Sequence, residues 1–121
     1  MPSGTILVVD DSPTEQKLVA AALTARGYRV ITANDGEEAL EKAAKEQPQL
    51  VVLDVVMPKK NGFQVCRQLK AAPLTEKIKV LLLTSKSQES DKFWGMKQGA
   101  DGYLTKPFAG DDLLASVTRL I

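Results

Sequence analysis

Six residues of this 121-residue chain could do chemistry, and each follows an apolar run. Asp10 and Asp11 follow Thr5 to Val9, and Asp54 closes the run that begins at Leu50 and precedes Val55-Val56-Met57-Pro58. Thr84 and Ser85 follow Ile78 to Leu83, and Lys106-Pro107 comes just after Gly102 to Leu104. Burying an unpaired charge costs several kcal/mol, so Asp54 is expected to face a cleft or to meet cations there. Clustered carboxylates repel one another unless a divalent cation lies between them. Mg2+ takes one or two protein carboxylates, keeps waters and completes its shell with phosphate oxygens. Acids, hydroxyls and an ammonium gathered in one place therefore look like a metal-assisted phosphoryl site.

Composition narrows the alternatives. The chain has no histidine, which excludes a histidine-based triad, a histidine-ligated metal and a self-supplied phosphohistidine. Sixteen Lys and Arg against 15 Asp and Glu leave a net charge of +1, with no basic stretch suited to a row of phosphates, so no nucleic-acid partner is expected. No apolar run is long enough to span a bilayer, so no membrane partner is expected either. The single cysteine, Cys66, has no internal disulfide partner, and the N-terminus lacks a signal-peptide apolar region, which together point to a reducing cytoplasm.

The elements that must position these residues alternate strand-like and helical patterns, which predicts one α/β domain over residues 1–121 with a doubly wound, five-stranded parallel sheet. The first strand is expected from Thr5 to Val9. Ser12-Pro13-Thr14-Glu15 then reads as a capping box with Glu15 reaching back, and Leu18, Val19, Ala22 and Leu23 as the buried stripe of a helix ended by Gly27. A second strand is expected from Tyr28 to Ala33. Asp35 and Glu38 cap the next helix, whose inward face is Ala39, Leu40, Ala43 and Ala44 and which stops before Pro48. Leu50 to Asp54 is apolar enough to be buried on both faces. Lys59-Lys60-Asn61-Gly62 opens a helix carrying Phe63, Cys66 and Leu69 inward and ended by Pro73. A strand from Ile78 to Leu83 precedes a helix from Gln88 to Gln98, with Phe93 and Met96 as core fillers, Trp94 at the stripe's edge and Gly99 as its terminator. A short strand, Gly102 to Leu104, leads to a last helix that buries Leu113, Leu114, Val117 and Leu120. Ala109 offers this helix no capping oxygen, and Asp111-Asp112 are expected to compensate through the helix dipole. In such sheets the carboxyl-end loops share one edge, where ligands bind.

Asp10-Asp11, Asp54 with Met57-Pro58, Thr84 and Lys106-Pro107, in this order and over nearly the whole chain, resemble the receiver domain of bacterial two-component response regulators. The resemblance implies strand order 2-1-3-4-5 and a phosphoryl group accepted by Asp54 from a histidine kinase of a chemotaxis-like system. It implies Mg2+ held by Asp10, Asp11, Asp54 and the Val56 backbone carbonyl. Thr84 would meet the phosphoryl oxygen, Lys106 would pair with Asp54 and then with the phosphate, and the Lys106-Pro107 bond would be cis. Thr84 and Tyr103 would form a switch that reshapes the face of the fourth helix, last strand and last helix for a downstream protein target. Val56 is apolar where many receivers carry a polar side chain, and Lys86 adds a cation at the same mouth. The stretch Asp91 to Leu104 is similar to stand-alone receivers of twitching-motility and phototaxis systems.

Three classes of function fit these residues. The first is a single-domain signalling receiver, or a phosphate sink, in a chemotaxis-like pathway. The second is the receiver half of a DNA-binding regulator; Ile121 directly after the last helix favours the first over this one. The third is a metal-dependent phosphatase acting on small substrates, which needs a second acid and a specificity cap that no insertion here supplies. The domain is thus expected to be a phospho-acceptor, with self-catalysed phosphorylation and dephosphorylation as its only reactions.

Overall fold

The computed structural model describes residues 4–121. Its strands are β1 (Thr5–Val9), β2 (Arg29–Ala33), β3 (Leu50–Asp54), β4 (Lys79–Thr84) and β5 (Gly102–Thr105). Its helices are α1 (Pro13–Thr24), α2 (Gly36–Glu46), α3 (Gly62–Ala71), α4 (Glu89–Lys97) and α5 (Gly110–Leu120). The strands form one parallel sheet in the order β2-β1-β3-β4-β5, as expected, with the chain crossing back between β2 and β3.

Strand alternation splits the core into two layers. Leu7, Val9, Val51, Leu53, Val80 and Leu82 face Ala39 and Ala43 of α2 and Val65, Cys66 and Leu69 of α3. Ile6, Val8, Leu50, Val52, Leu81 and Leu83 face Val19 and Leu23 of α1 and Leu113 and Val117 of α5. Every residue of β3 is buried, while β2, at the sheet's edge, is only half covered. The breaks fall where the turn chemistry puts them. Gly27 (φ 93°) and Gly99 (φ 99°) take the left-handed conformation after α1 and α4, and Gln47 (φ 50°) does the same between α2 and Pro48. Asn61 caps α3 by accepting from Gln64 N, and Gln64 Oε1 accepts from Asn61 N in return, a box the sequence reading missed. At α5, Asp112 Oδ2 accepts from Ala109 N, a cap made in place of the absent Ala109 oxygen.

Two stripes differ from expectation. On α1 the inner face is Gln16, Val19 and Leu23, whereas Leu18 is 68% exposed, because it is turned about 100° from Val19 on the helix. On α4 the only buried residue is Gly95, and Phe93, Trp94 and Met96 are exposed. The reason is close approach: a side chain at Gly95 would come within 2.9 Å of Leu82 Cδ1 and 3.1 Å of the Tyr103 ring. The helix lies on the sheet through backbone, which leaves its large side chains outside. Phe63, by contrast, packs half-buried against the α2/α3 layer. Among the described residues no helix is long and apolar enough to cross a membrane.

Gly62 fixes how α3 meets the end of β3. Its N–H donates to Val55 O at 2.8 Å, and an added Cβ would lie 2.4 Å from Asp54 O and 2.7 Å from Val55 Cα, both main-chain atoms. Backbone cannot swing aside as a side chain can. Gly62→Ala should therefore cost about 2 kcal/mol or more and lower the melting temperature by roughly 8 °C. Gly110→Ala, where nothing lies within 4 Å, should leave it unchanged or slightly higher. Equal melting temperatures for the two variants would contradict this packing.

Candidate functional site

The carboxyl ends of β1 and β3 are adjacent in the sheet, which brings Asp10 and Asp11, just past β1, beside Asp54, the last residue of β3. Asp10, Asp11 and Asp54 each offer one carboxylate oxygen, all within 4.8 Å of one another. Asp10 and Asp54 are buried and Asp11 is exposed. The set contains hard oxygen donors only, with no thiolate or imidazole, which fits Mg2+ and not Zn2+. Cys66 lies buried in the α2/α3 layer, and burial pushes its thiol up to about 11, so it is a packing residue.

The two buried acids are held by their surroundings. Asp10 Oδ1 accepts from Ser12 N at 2.9 Å, and Asp54 Oδ1 accepts from Val56 N at 3.3 Å. Burial raises the Asp54 carboxyl above its ordinary range; Lys106 opposes the rise, and neighbouring Asp10 adds to it. Asp10 is likewise raised by burial, against the pull of the Ser12 N–H and Lys106. Gln16 supports the site from below. Its buried amide donates to Asp10 O at 3.1 Å and Ala33 O at 2.9 Å, and it lies 3.2 Å from Asn34 Oδ1. The sequence reading missed this residue, although a Gln in step with Val19 and Leu23 on an apolar stripe was a visible signal.

Lys106 comes from the turn after β5, anchored by its N–H to Thr84 O at 2.8 Å, and its bond to Pro107 is cis. Its ammonium stands 3.6 Å from Asp54 Oδ2 and 3.4 Å from Asp10 Oδ2, yet its shortest partner is Glu15 Oε1 at 2.6 Å. Burial alone would lower the Lys106 pKa; the Glu15 hydrogen bond and the charges of Asp54, Asp10 and Glu15 together outweigh it and raise the value. The expected capping box at Ser12 is accordingly incomplete. Ser12 Oγ accepts from Glu15 N, but the Ser12 N–H already donates to Asp10, so the Glu15 carboxylate turns across the cleft instead.

The remaining predicted residues stand around this centre. Val56 and Ser85 line the cleft, which has a volume of about 840 Å³ and continues as a groove past Leu18, Ala22 and Phe108. Thr84 is fully buried at the end of β4, and its hydroxyl oxygen accepts from Lys86 N at 3.2 Å. Tyr103 is half-buried on the neighbouring strand, and its hydroxyl donates to Lys86 O at 2.7 Å. Burial raises its phenol pKa, with Asp91 adding to the rise. Thr84 and Tyr103 are thus tied to the two backbone groups of one residue, Lys86.

A family described as the response regulator receiver domain matches residues 6–118. Protein PilH of Pseudomonas aeruginosa is 44% identical over 116 residues, which are 96% of this chain and 96% of that protein. The alkaline phosphatase synthesis transcriptional regulatory protein PhoP of Bacillus subtilis is 47% identical over 116 residues; the chain spans only 48% of its length. The chemotaxis response regulator CheY4 of Vibrio cholerae superposes with a TM-score of 0.93 at 34% identity, covering 99% of this chain and 100% of that one. The receiver domain of a sensor histidine kinase from Pseudomonas aeruginosa PAO1, solved with a magnesium ion coordinated in its active-site cleft, superposes with a TM-score of 0.90 at 27% identity, covering 98% of each chain.

The raised carboxyls set a pH dependence. A carboxyl that holds its proton more tightly when folded contributes stability that is present at acid pH and is lost as pH rises through the folded value. Asp54→Asn removes one charge from the cluster at nearly constant volume. Without divalent cations it should melt a few degrees above wild type at pH 7, roughly 1 kcal/mol, with the gap closing as pH falls below the carboxylate range. A gap that widens towards acid pH would contradict the raised value.

Proposed function

The chain belongs to the response regulator receiver domain family, and from that premise we propose that it accepts a phosphoryl group on Asp54 from a phosphohistidine-bearing kinase of a chemotaxis-like system. The observation that carries this reading is the clustering of the Asp10, Asp11 and Asp54 carboxylates beside Lys106. In the transfer an Asp54 oxygen attacks phosphorus, the phosphorus–nitrogen bond breaks, and the electron pair leaves on the imidazole nitrogen. Asp10, Asp11, Asp54 and the Val56 carbonyl would hold Mg2+, whose charge, when bound, offsets that of the carboxylates and the phosphoryl oxygens. Lys106, with its ammonium 3.6 Å from Asp54, stabilises the developing charge and then pairs with the phosphate. The groove past Leu18 and Phe108, which opens on Asp54, gives a donor protein an apolar approach to the site.

Phosphorylation adds about −1.5 to −2 charges and strong acceptor oxygens. Thr84 is the hydroxyl proposed to answer it. Moving towards the phosphate, it would release Lys86 N, and Tyr103 is bonded to the same residue's carbonyl, so the two form one switch. Shifting an equilibrium from 1:99 to 99:1 takes about 5.5 kcal/mol, and one charge-assisted hydrogen bond supplies roughly 1.5–3. Thr84 therefore gives a partial shift, with Lys106 and the metal contributing the rest. The face of α4, β5 and α5 then changes shape for a downstream protein target.

Similarity to PilH along 96% of that protein, together with the 91–104 stretch, supports a stand-alone receiver in a cytoplasmic twitching-motility pathway, as output or as phosphate sink. The match to under half of PhoP supports the alternative, the receiver half of a DNA-binding regulator. In both, the domain spans residues 1–121 and acts as a phospho-acceptor, not as an enzyme on other substrates.

Incubation with acetyl phosphate and Mg2+ followed by intact-mass measurement should add one phosphoryl group to wild type and none to Asp54→Asn. Thr84→Ala should still be labelled but lose most of the NMR shift change at Tyr103. An Asp54→Asn protein labelled as fully as wild type would sink the assignment.

A further inference from the structure

Lys106 lies among three acids, and the nearest is not the one that accepts the phosphoryl group. Its Nζ stands 2.6 Å from Glu15 but 3.6 Å from Asp54. Glu15 is available for this contact because Asp10 occupies the Ser12 N–H that a residue three positions into a helix would otherwise reach. The two ends of the pair sit in different surroundings. The Lys106 side chain is 16% exposed and the Glu15 side chain 47%, so the glutamate holds the ammonium from the solvent side of the cleft.

We infer that Glu15 is a positioning residue for phosphoryl transfer: it latches the Lys106 ammonium away from Asp54, and the ammonium passes from Glu15 to the phosphoryl oxygens as Asp54 is modified. The inference rests on Asp54 being the acceptor. As the Asp54 oxygen bonds to phosphorus and the donor's bond to phosphorus breaks, the charge beside Lys106 roughly doubles, and the preferred partner changes. A half-exposed ion pair is a weak hold, screened by water, which suits a contact that is released in every cycle. Losing it should speed transfer modestly, by about two- to fivefold.

A double-mutant cycle separates the latch from a simple charge effect. Phosphorylation rates at limiting acetyl phosphate with Mg2+ are measured by intact mass for wild type, E15Q, K106M and the E15Q/K106M pair. In the unphosphorylated protein, the Lys106 ammonium is followed by its 1H–15N NMR correlation. The expected result is that E15Q accelerates transfer two- to fivefold when Lys106 is present and not at all in K106M, and that E15Q shifts the ammonium signal while E89Q does not. Equal acceleration in both backgrounds would mean that Glu15 merely repels the anionic donor, and would overturn the latch; an unmoved ammonium signal would overturn it as well. A wild type that takes no phosphoryl group would overturn the acceptor assignment and the role in transfer with it, and the ammonium signal would still report whether the contact exists.

Discussion

Asp10, Asp11 and Asp54 place carboxylate oxygens within 4.8 Å of one another at the end of a sheet that buries two of the three. Removal from water favours the protonated form of the buried pair and holds both Asp10 and Asp54 above the ordinary carboxylate range, with the charge of neighbouring Asp10 adding to the rise at Asp54. Much of what surrounds them answers that strain. Backbone N–H groups of Ser12 and Val56 each donate to one acid, and Lys106 reaches two of them. Gln16 clamps the main chain at the ends of β1 and β2, and Gly62 lets α3 close against the end of β3.

The sheet makes this concentration of charge tolerable. Two apolar layers, one under α1 and α5 and the other under α2 and α3, cover β3 on both faces, so the strand ends cannot drift apart to relieve the repulsion. What can change is the occupant of the cleft. In the proposed function a cation would lower the repulsion and a phosphoryl group would raise it, and Lys106, Thr84 and Lys86 are the contacts placed to respond to both. Lys86, between β4 and β5 in the chain, bonds to both Thr84 and Tyr103, and is the residue through which the proposed switch would couple charge at β3 to β5.

Most of this was legible in the sequence because it rests on patterns with fixed periods. The apolar runs of β3 and β4 report burial on both faces. Asp10, Asp54 and Lys106 follow from their place at strand ends, and Gly27, Gly99 and Pro48 from turn chemistry. Beyond the Asn61 cap and Gln16, three features escaped for physical reasons. Leu18 belongs to an apolar patch of the sequence but sits one residue off the inner stripe, and a single step on a helix is a large rotation. Phe93 and Met96 read as core, with Trp94 at the stripe's edge, because their helix was assumed to pack through side chains, whereas it packs through Gly95. Glu15 fitted a capping box perfectly well in one dimension; only the fold reveals that Asp10 has taken the N–H it would use.

Thermal melting with and without Mg2+ at neutral pH tests most directly whether mutual repulsion of these carboxylates governs the site. A cation that binds the native state alone raises its melting temperature by mass action. Millimolar Mg2+ should raise the midpoint of the wild type, and Asp11→Ala, which removes the exposed member of the cluster, should lose most of that increment. A wild-type midpoint unmoved by Mg2+, or an Asp11→Ala protein that keeps the full increment, would contradict it.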